Sequence, residues 1–293
     1  MSDLYDKDFY DDKALTLSQP LTHCRIGWQN LAADGSIAAS SAAAGFPVTS
    51  LQNSLTYEFW KPASFPASVV VDLLRPQPVD YLGLAAHELA GCTVVLESGA
   101  DGTTYTEVTR ARLTNDESVM LLFTEVTARY WRLTLTGYAV DESMIANFAD
   151  QYYETIAYDG ASTGGASLSV LYLGKALAVQ RMIYGGHTPG PMSRVTKTTT
   201  NMSEGGQWLG RSIIRGELTT NVALNNLRAD WYRQNFDPFA ESARANPYFF
   251  AWRPSSFADE VVYGQTPDSI APDNAGTRDF MTVSFPIIGY SND

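Results

Sequence analysis

The chain has 293 residues, enough for two domains, and 45% of them are hydrophobic, a globular composition and not a disordered one. Its formal charge of −12 argues against phosphate-directed binding to nucleic acid and against anionic membrane surfaces. No run approaches the roughly 18 apolar residues of a membrane span, so no membrane insertion is expected.

The N-terminus, MSDLYDKDFYDD, is acidic and polar and carries no secretory pattern, so the expectation is a soluble protein made in the cytosol. Residues 1–22 read as an arm. It is either an unstructured tail or a segment that packs Tyr5, Phe9 and Tyr10 on a neighbouring subunit. Residues 23–66 are loop-rich: AADGSIAASSAAAGFPV has no sustained apolar period, and Gly45-Phe46-Pro47 is a turn signal. SLTYEFWKP follows, with Trp60 ahead of a Lys-Pro break.

From 68 to 137 the chain reads as strand, turn, strand. The runs ASVVVDLL, VDYLGLAA, CTVVLESGADGTTYTEV, SVMLLFTEV and ARYWRLTLTG are short, rich in β-branched and aromatic residues, and bounded by Gly, Pro, Asp or Asn. Ala100-Asp101-Gly102 sits between alternating runs and predicts a hairpin turn. Residues 138–166 read as an insertion or linker, and SLSVLYLG (167–174) returns to strand character.

From Lys175 the pattern changes. MIYGGHTPGPMSR predicts a structured loop, and SRVTKTTTNMSE and SIIRGELTTNVAL predict paired strands. TTTNMSEGGQWLGR has a Gly-Gly break and predicts a projecting loop. LRADWYRQNFDPFAESARANP carries apolar residues at helical spacing, and Asp237-Pro238 predicts two short helices meeting at Asp237. YFFAWRP and DFMTVSFPIIGY predict the last strands.

Chemistry-bearing patterns are sparse. His23, His87 and His187 lack metal-ligand spacing, and there is no CxxC or HExxH. Loops around Asp72, Asp101, Asp116 and Asp159 could donate oxygens to calcium, but without an EF-hand pattern. No GxSxG or phosphate-cradling motif occurs, and Asp237 and Glu241 suit a solvated helix N-terminus. Cys24 and Cys92 are too few for a disulfide framework. They read as buried thiols, with a bond between them left open by spacing. No catalytic residue, metal or cofactor is therefore expected, and the protein is read as a binding or structural protein, not an enzyme.

The first half resembles the discoidin-like (F5/8 type C, galactose-binding-like) family. The resemblance rests on Trp60, VVVDL, YLGL, VVLESGADGTTYTEV with Ser98, Asp101, Gly102 and Tyr105, and ARYWRLTLTG with Ala128–Arg132. It implies a jelly-roll β-sandwich over 23–174, with ligands held in loops at one end. Phe46, Trp60, His87 and Glu88 are the candidate ligand-binding residues, and a core position for Trp60 competes with that role. The second half resembles tail-tip (baseplate, distal tail) proteins of long-tailed bacteriophages, on MIYGGHTPGPMSR, NMSEGGQWLGRSIIR, WYRQNFDPFAESAR, PYFFAWRP and GTRDFMTVSFPIIG. That resemblance implies a virion structural protein, assembled in the host cytoplasm. It also implies an assembly β-domain over 175–293 with a short helical excursion. The partners would be copies of itself in a three- or sixfold ring, tail-tube and hub proteins, and host-surface carbohydrate. Tyr184, His187 and Trp208 join the arm as expected interface residues. The competing reading is a carbohydrate-binding module with no ring role.

Overall fold

The computed structural model describes residues 21–137, 166–183, 185–276 and 279–291. Tyr5, Phe9 and Tyr10 of the expected arm, Tyr184, and the expected insertion up to residue 165 lie outside them.

The fold is mainly β, as the sequence implies: a jelly-roll sandwich and a second β-domain with one helical excursion. The sandwich is built on two long strands, β3 (Ala67–His87) and β6 (Val119–Thr136), paired antiparallel along most of their length. From Ala67 to Leu73 side chains alternate between buried and half-buried, the period of a strand with one face on a core. The sequence predicts two strands here, broken at Arg75-Pro76-Gln77-Pro78. The structure instead carries one strand through, with a bulge in the β6 register between Asp72 and Gln77 and Leu74 at a φ of 65°. Asp72 stabilises the bulge by accepting the Leu74 N–H at 2.8 Å and a two-pronged contact from Arg129 at 2.7 and 2.8 Å.

On one side of the bulge β3 pairs β2 (Ser36–Ala39), and β6 carries β4 (Thr93–Gly99) and β5 (Thr106–Arg112). On the other side β3 pairs β7 (Leu168–Gly174). Both halves contribute to one core, with Val69, Val71, Leu96, Trp131 and Leu133 from the first and Leu82, Leu84, Leu121 and Leu171 from the second. The sequence reads β2 as loop because SIAA has too little apolar area to signal a strand. The turn at 100–102 lies where expected: Asp101 accepts the N–H groups of Thr103 and Thr104, and Gly102 takes a φ of +72°.

The second sheet runs in the order β8 (Leu177–Ala178), β1 (Arg25–Gly27), β11 (Tyr248–Ala251), β12 (Val261–Gln265), β14 (Phe280–Gly289), β10 (Trp208–Arg228), β9 (Arg194–Met202). β13 (Pro272–Asn274) pairs β14. The sequence places residues 23–27 with the sandwich, whereas β1 lies inside this sheet, between β8 and β11. One face of the sheet is covered by a helical run made of α1 (Ala229–Trp231), a π turn (Tyr232–Phe236) and α2 (Asp237–Ser242). The expected break at Asp237 is a change of helix type and not an interruption. Pro238 has no N–H to donate, and the Asp237 N–H reaches back five residues to the Tyr232 carbonyl. Phe236 and Phe239 meet Phe285 and Tyr248 of the sheet in a ring-on-ring core.

The two domains share a third core. Tyr81, Met120, Leu122, Val170 and Tyr172 from the outer face of the sandwich pack on Phe249, Val261 and Tyr263 of the second sheet. Burial on both faces explains why β7, and β3 from Tyr81 to His87, are buried at every position. Gly83 allows this approach, since a Cβ there would sit 2.6 Å from the Phe249 ring. Tyr172 and Tyr263 bind their hydroxyls across the joint, to Pro247 O and to Ser54 O.

Candidate functional site

Beyond Leu218, toward its start, β10 leaves the core. Residues Trp208–Arg215 and their partner strand β9 form a two-stranded ribbon, with no third strand among the described residues and exposure on both faces. Its tip is a tight turn. The Ser203 N–H donates to Gln207 O at 2.8 Å, the Gly206 N–H donates to Ser203 O at 2.9 Å, and Gly206 takes a φ of +78°. Two register shifts, between Trp208 and Gly210 and between Ile213 and Arg215, each place an extra residue on β10, Leu209 and Ile214. Such bulges twist a ribbon and interrupt its alternation, so apolar side chains point to both faces. Met202, Trp208, Leu209, Ile213 and Ile214 are all more than half exposed, with Trp208 at 69%. The Trp208 indole is held by its Nε1–H donating to Gly210 O at 3.0 Å. The ribbon from 194 to 217 carries Arg194, Lys197, Arg211 and Arg215 against Glu204 and Glu217, a basic projection on a chain of charge −12. β9 is also the end strand of its sheet, so its outer backbone groups have no strand partner.

Of the expected interface residues, Trp208 lies on this ribbon. His187 does not: it packs within its own domain, 5.6 Å from the Phe250 ring and 5.4 Å from the Trp252 ring, with Nδ1 3.1 Å from Asn221 O. Burial holds its imidazole below the usual histidine range.

The expected ligand residues separate. Trp60 is fully buried. Its Nε1–H donates to Ser41 O at 3.0 Å, and its backbone bridges Leu168 in both directions. His87 is 1% exposed, pairs Leu168 from the β3 side, and has Nδ1 3.8 Å from Asp116 Oδ1. Neither ring can stack on a ligand in solution, which corrects both assignments: a strand run as apolar as YLGLAAH draws its terminal His inward. Glu88 is exposed, and its Oε2 accepts the Ser167 hydroxyl at 3.1 Å. Phe46 stands apart from these three. It stacks on Phe59 at 4.8 Å between ring centres, and with Pro47, Thr49, Tyr57 and Glu58 it lines a recess of about 410 Å3. Tyr57 is 72% exposed, and Glu58 accepts from the Asn53 amide at 2.7 Å. Sequence reasoning passed over Tyr57 and Phe59, although SLTYEFWKP displays them beside Trp60.

Cys24 and Cys92 are both buried free thiols, and burial pushes the Cys24 pKa up to about 12. Among the described residues no three metal-ligating side chains gather.

No protein-family model matches the sequence, and no curated protein matches it. Among solved structures it is similar to chitosan-binding module 1 of a chitosanase/glucanase from Paenibacillus sp. IK-5, at 23% identity and a TM-score of 0.38. That match covers 50% of this chain and 99% of that one. It is also similar to the CBM32 module CpGH89CBM32-5 of Clostridium perfringens, in complex with GalNAc-β-1,3-galactose, at 13% identity and a TM-score of 0.38. There the match covers 50% of this chain and all (100%) of that one. Identities and TM-scores this low leave the ligands of those modules as properties of those modules.

Proposed function

We propose that this chain is an assembly protein, joined to further copies of itself through the β9–β10 ribbon, and that it serves in the tail tip of a long-tailed bacteriophage. The observation that carries the assembly role is the ribbon: five large apolar side chains on a basic two-stranded projection from an acidic chain. An isolated hairpin is marginal in water, and apolar surface on both of its faces becomes stable when a partner covers it. Its charge suits the acidic remainder of a neighbouring copy, which favours a head-to-tail arrangement that closes into a ring. The tail-tip setting rests on the resemblance of the second half, from MIYGGHTPGPMSR to GTRDFMTVSFPIIG. In that setting the sandwich stands at the periphery of the ring.

Light scattering on the full chain tests this reading, with electron microscopy of the same sample. Closed oligomers are expected, and a monomer at every concentration tried would remove the assembly role.

The recess at Phe46, Tyr57, Glu58 and Phe59 favours a second reading. An exposed tyrosine beside stacked rings and an anchored carboxylate suits the apolar face and hydroxyl edge of a sugar. In that reading the sandwich recognises surface carbohydrate, and a glycan array probed with wild type and Tyr57→Ala tests it. Loss of a wild-type signal in the variant is expected, and an unchanged signal would exclude the recess.

A further inference from the structure

A cleft of about 780 Å3 opens where the sandwich, the start of the second sheet and the helical run meet, within the size range of small-molecule sites. Its walls come from three parts of the chain that are distant in sequence. Trp28 follows β1, Asp80 and Glu125 come from β3 and β6, and Trp231, Gln234 and Asn235 share one face of the helical run. A π turn lies in that run, a local helix type that recurs at functional sites. Gly174 lets β7 approach Gln29 of the lining: a Cβ there would meet Gln29 O at 2.4 Å, so only glycine lets β7 come this close.

The chemistry of the lining is specific. Two indoles give flat apolar surface. The lining charges balance, with Lys175 paired to Glu125 at 2.6 Å and one further cation and one further anion, Arg25 and Asp80. Asp80 accepts one hydrogen bond among the described residues, at Oδ1 from the Ala176 N–H at 2.7 Å, and burial pushes its pKa up to about 6. A partly desolvated carboxylate with lone pairs left over, in a cleft, is a group waiting for donors. Asn235 donates to Trp231 O at 3.1 Å, which holds its side chain along the helix face at the cleft. Gln234 is exposed and adds a second side-chain amide.

We infer that this cleft binds a short neutral saccharide, with ring faces against Trp28 and Trp231 and hydroxyl groups donating to Asp80. The balanced charge disfavours phosphorylated or acidic ligands, and the mixture of donors and acceptors suits groups that are both. The site is separate from the ribbon and from the Phe46 recess, and it stands whether or not either has the role given above.

The test is calorimetric titration of the full chain with maltotriose, cellotriose, lactose and N,N′,N″-triacetylchitotriose, followed in parallel by tryptophan fluorescence. At least one probe is expected to bind and to change the fluorescence. Asp80→Asn keeps the Ala176 contact but loses the charged acceptor, and it should weaken that binding about tenfold, as should Trp231→Ala. Gln234→Ala, on the exposed helix face, should weaken it a fewfold without disturbing the core. Failure of all four probes to bind at about 10 mM, where even a weak site would show, would overturn the inference. So would binding that Asp80→Asn and Gln234→Ala leave intact.

Discussion

β3 and β10 are both 21 residues long, yet they meet opposite surroundings. β3 has β6 along one edge and β2 or β7 along the other, and from Tyr81 to His87 every residue is buried. β10 joins a core only from Leu218 onward, and its first eight residues are covered on neither face. Apolar content barely separates them, since WLGRSII has four apolar residues in seven and DYLGLAA five. What separates them is cover. The proposed assembly role rests on a strand that outruns its own domain while keeping large apolar side chains.

The most direct way to break this comparison is to make the ribbon polar. Trp208→Ser with Ile213→Ser should convert oligomers to monomers in light scattering, since aromatic anchors carry about 2 kcal/mol or more each at such contacts. The same pair should move the unfolding free energy by only about 0.5 kcal/mol, because both side chains are exposed. Oligomers that survive the double substitution would mean that the ribbon is not the contact. Salt should weaken the association as well, through the basic residues of the ribbon.

Trp60 supplies the opposite case. It is fully buried between Ser41 and Leu168, so Trp60→Ala should cost about 3–5 kcal/mol in urea unfolding. A nearly neutral Trp60→Ala would mean that the loop carrying it is free to leave the sandwich.

How much of this is legible in the sequence differs between the same regions. The sandwich strands announce themselves because VVVDL and RYWRLTLT alternate, and alternation is what a one-sided core writes into a chain. β1 is not legible. RIG is three residues long, and its partners Ala178 and Ala251 are far away in sequence, so nothing local assigns it to the second sheet. β12 escaped for a related reason: VVYGQ is one short run among prolines and acids. The ribbon strands were readable only in part, because TTTNMSEGGQWLGR reads as a projecting loop whereas Thr198–Met202 and Trp208–Arg211 are paired strand, and the exposure of Leu209, Ile213 and Ile214 was not readable. An apolar residue looks the same in sequence whether a core or a partner covers it. The cleft was invisible, because Asp80, Glu125 and Trp231 become neighbours only after the two domains dock.

Asp80 and Glu97 sharpen the contrast between a site and a scaffold, since their pKa values move in opposite directions. Burial raises the Asp80 pKa from 3.8 to about 6, so its contribution favours folding most below about pH 4 and is lost as pH rises through 6. Asp80→Asn should therefore stabilise the protein by about 2 kcal/mol at pH 7, and the gain should vanish near pH 4.

Glu97 is the scaffold case. Arg132 grips it with two bonds, at 2.6 and 2.7 Å, and holds its carboxyl below the usual carboxylate range. Its contribution is therefore present above the ordinary value of 4.5 and fades as pH falls through the lowered one. Because the Arg132 side chain is 34% exposed, screening keeps the pair weak. Glu97→Gln should lose about 0.5 kcal/mol at pH 7 in urea unfolding, and the loss should shrink as pH falls through the lowered value. A loss that did not change with pH would show that Glu97 acts through packing, and that its charge pair with Arg132 contributes little to the sandwich.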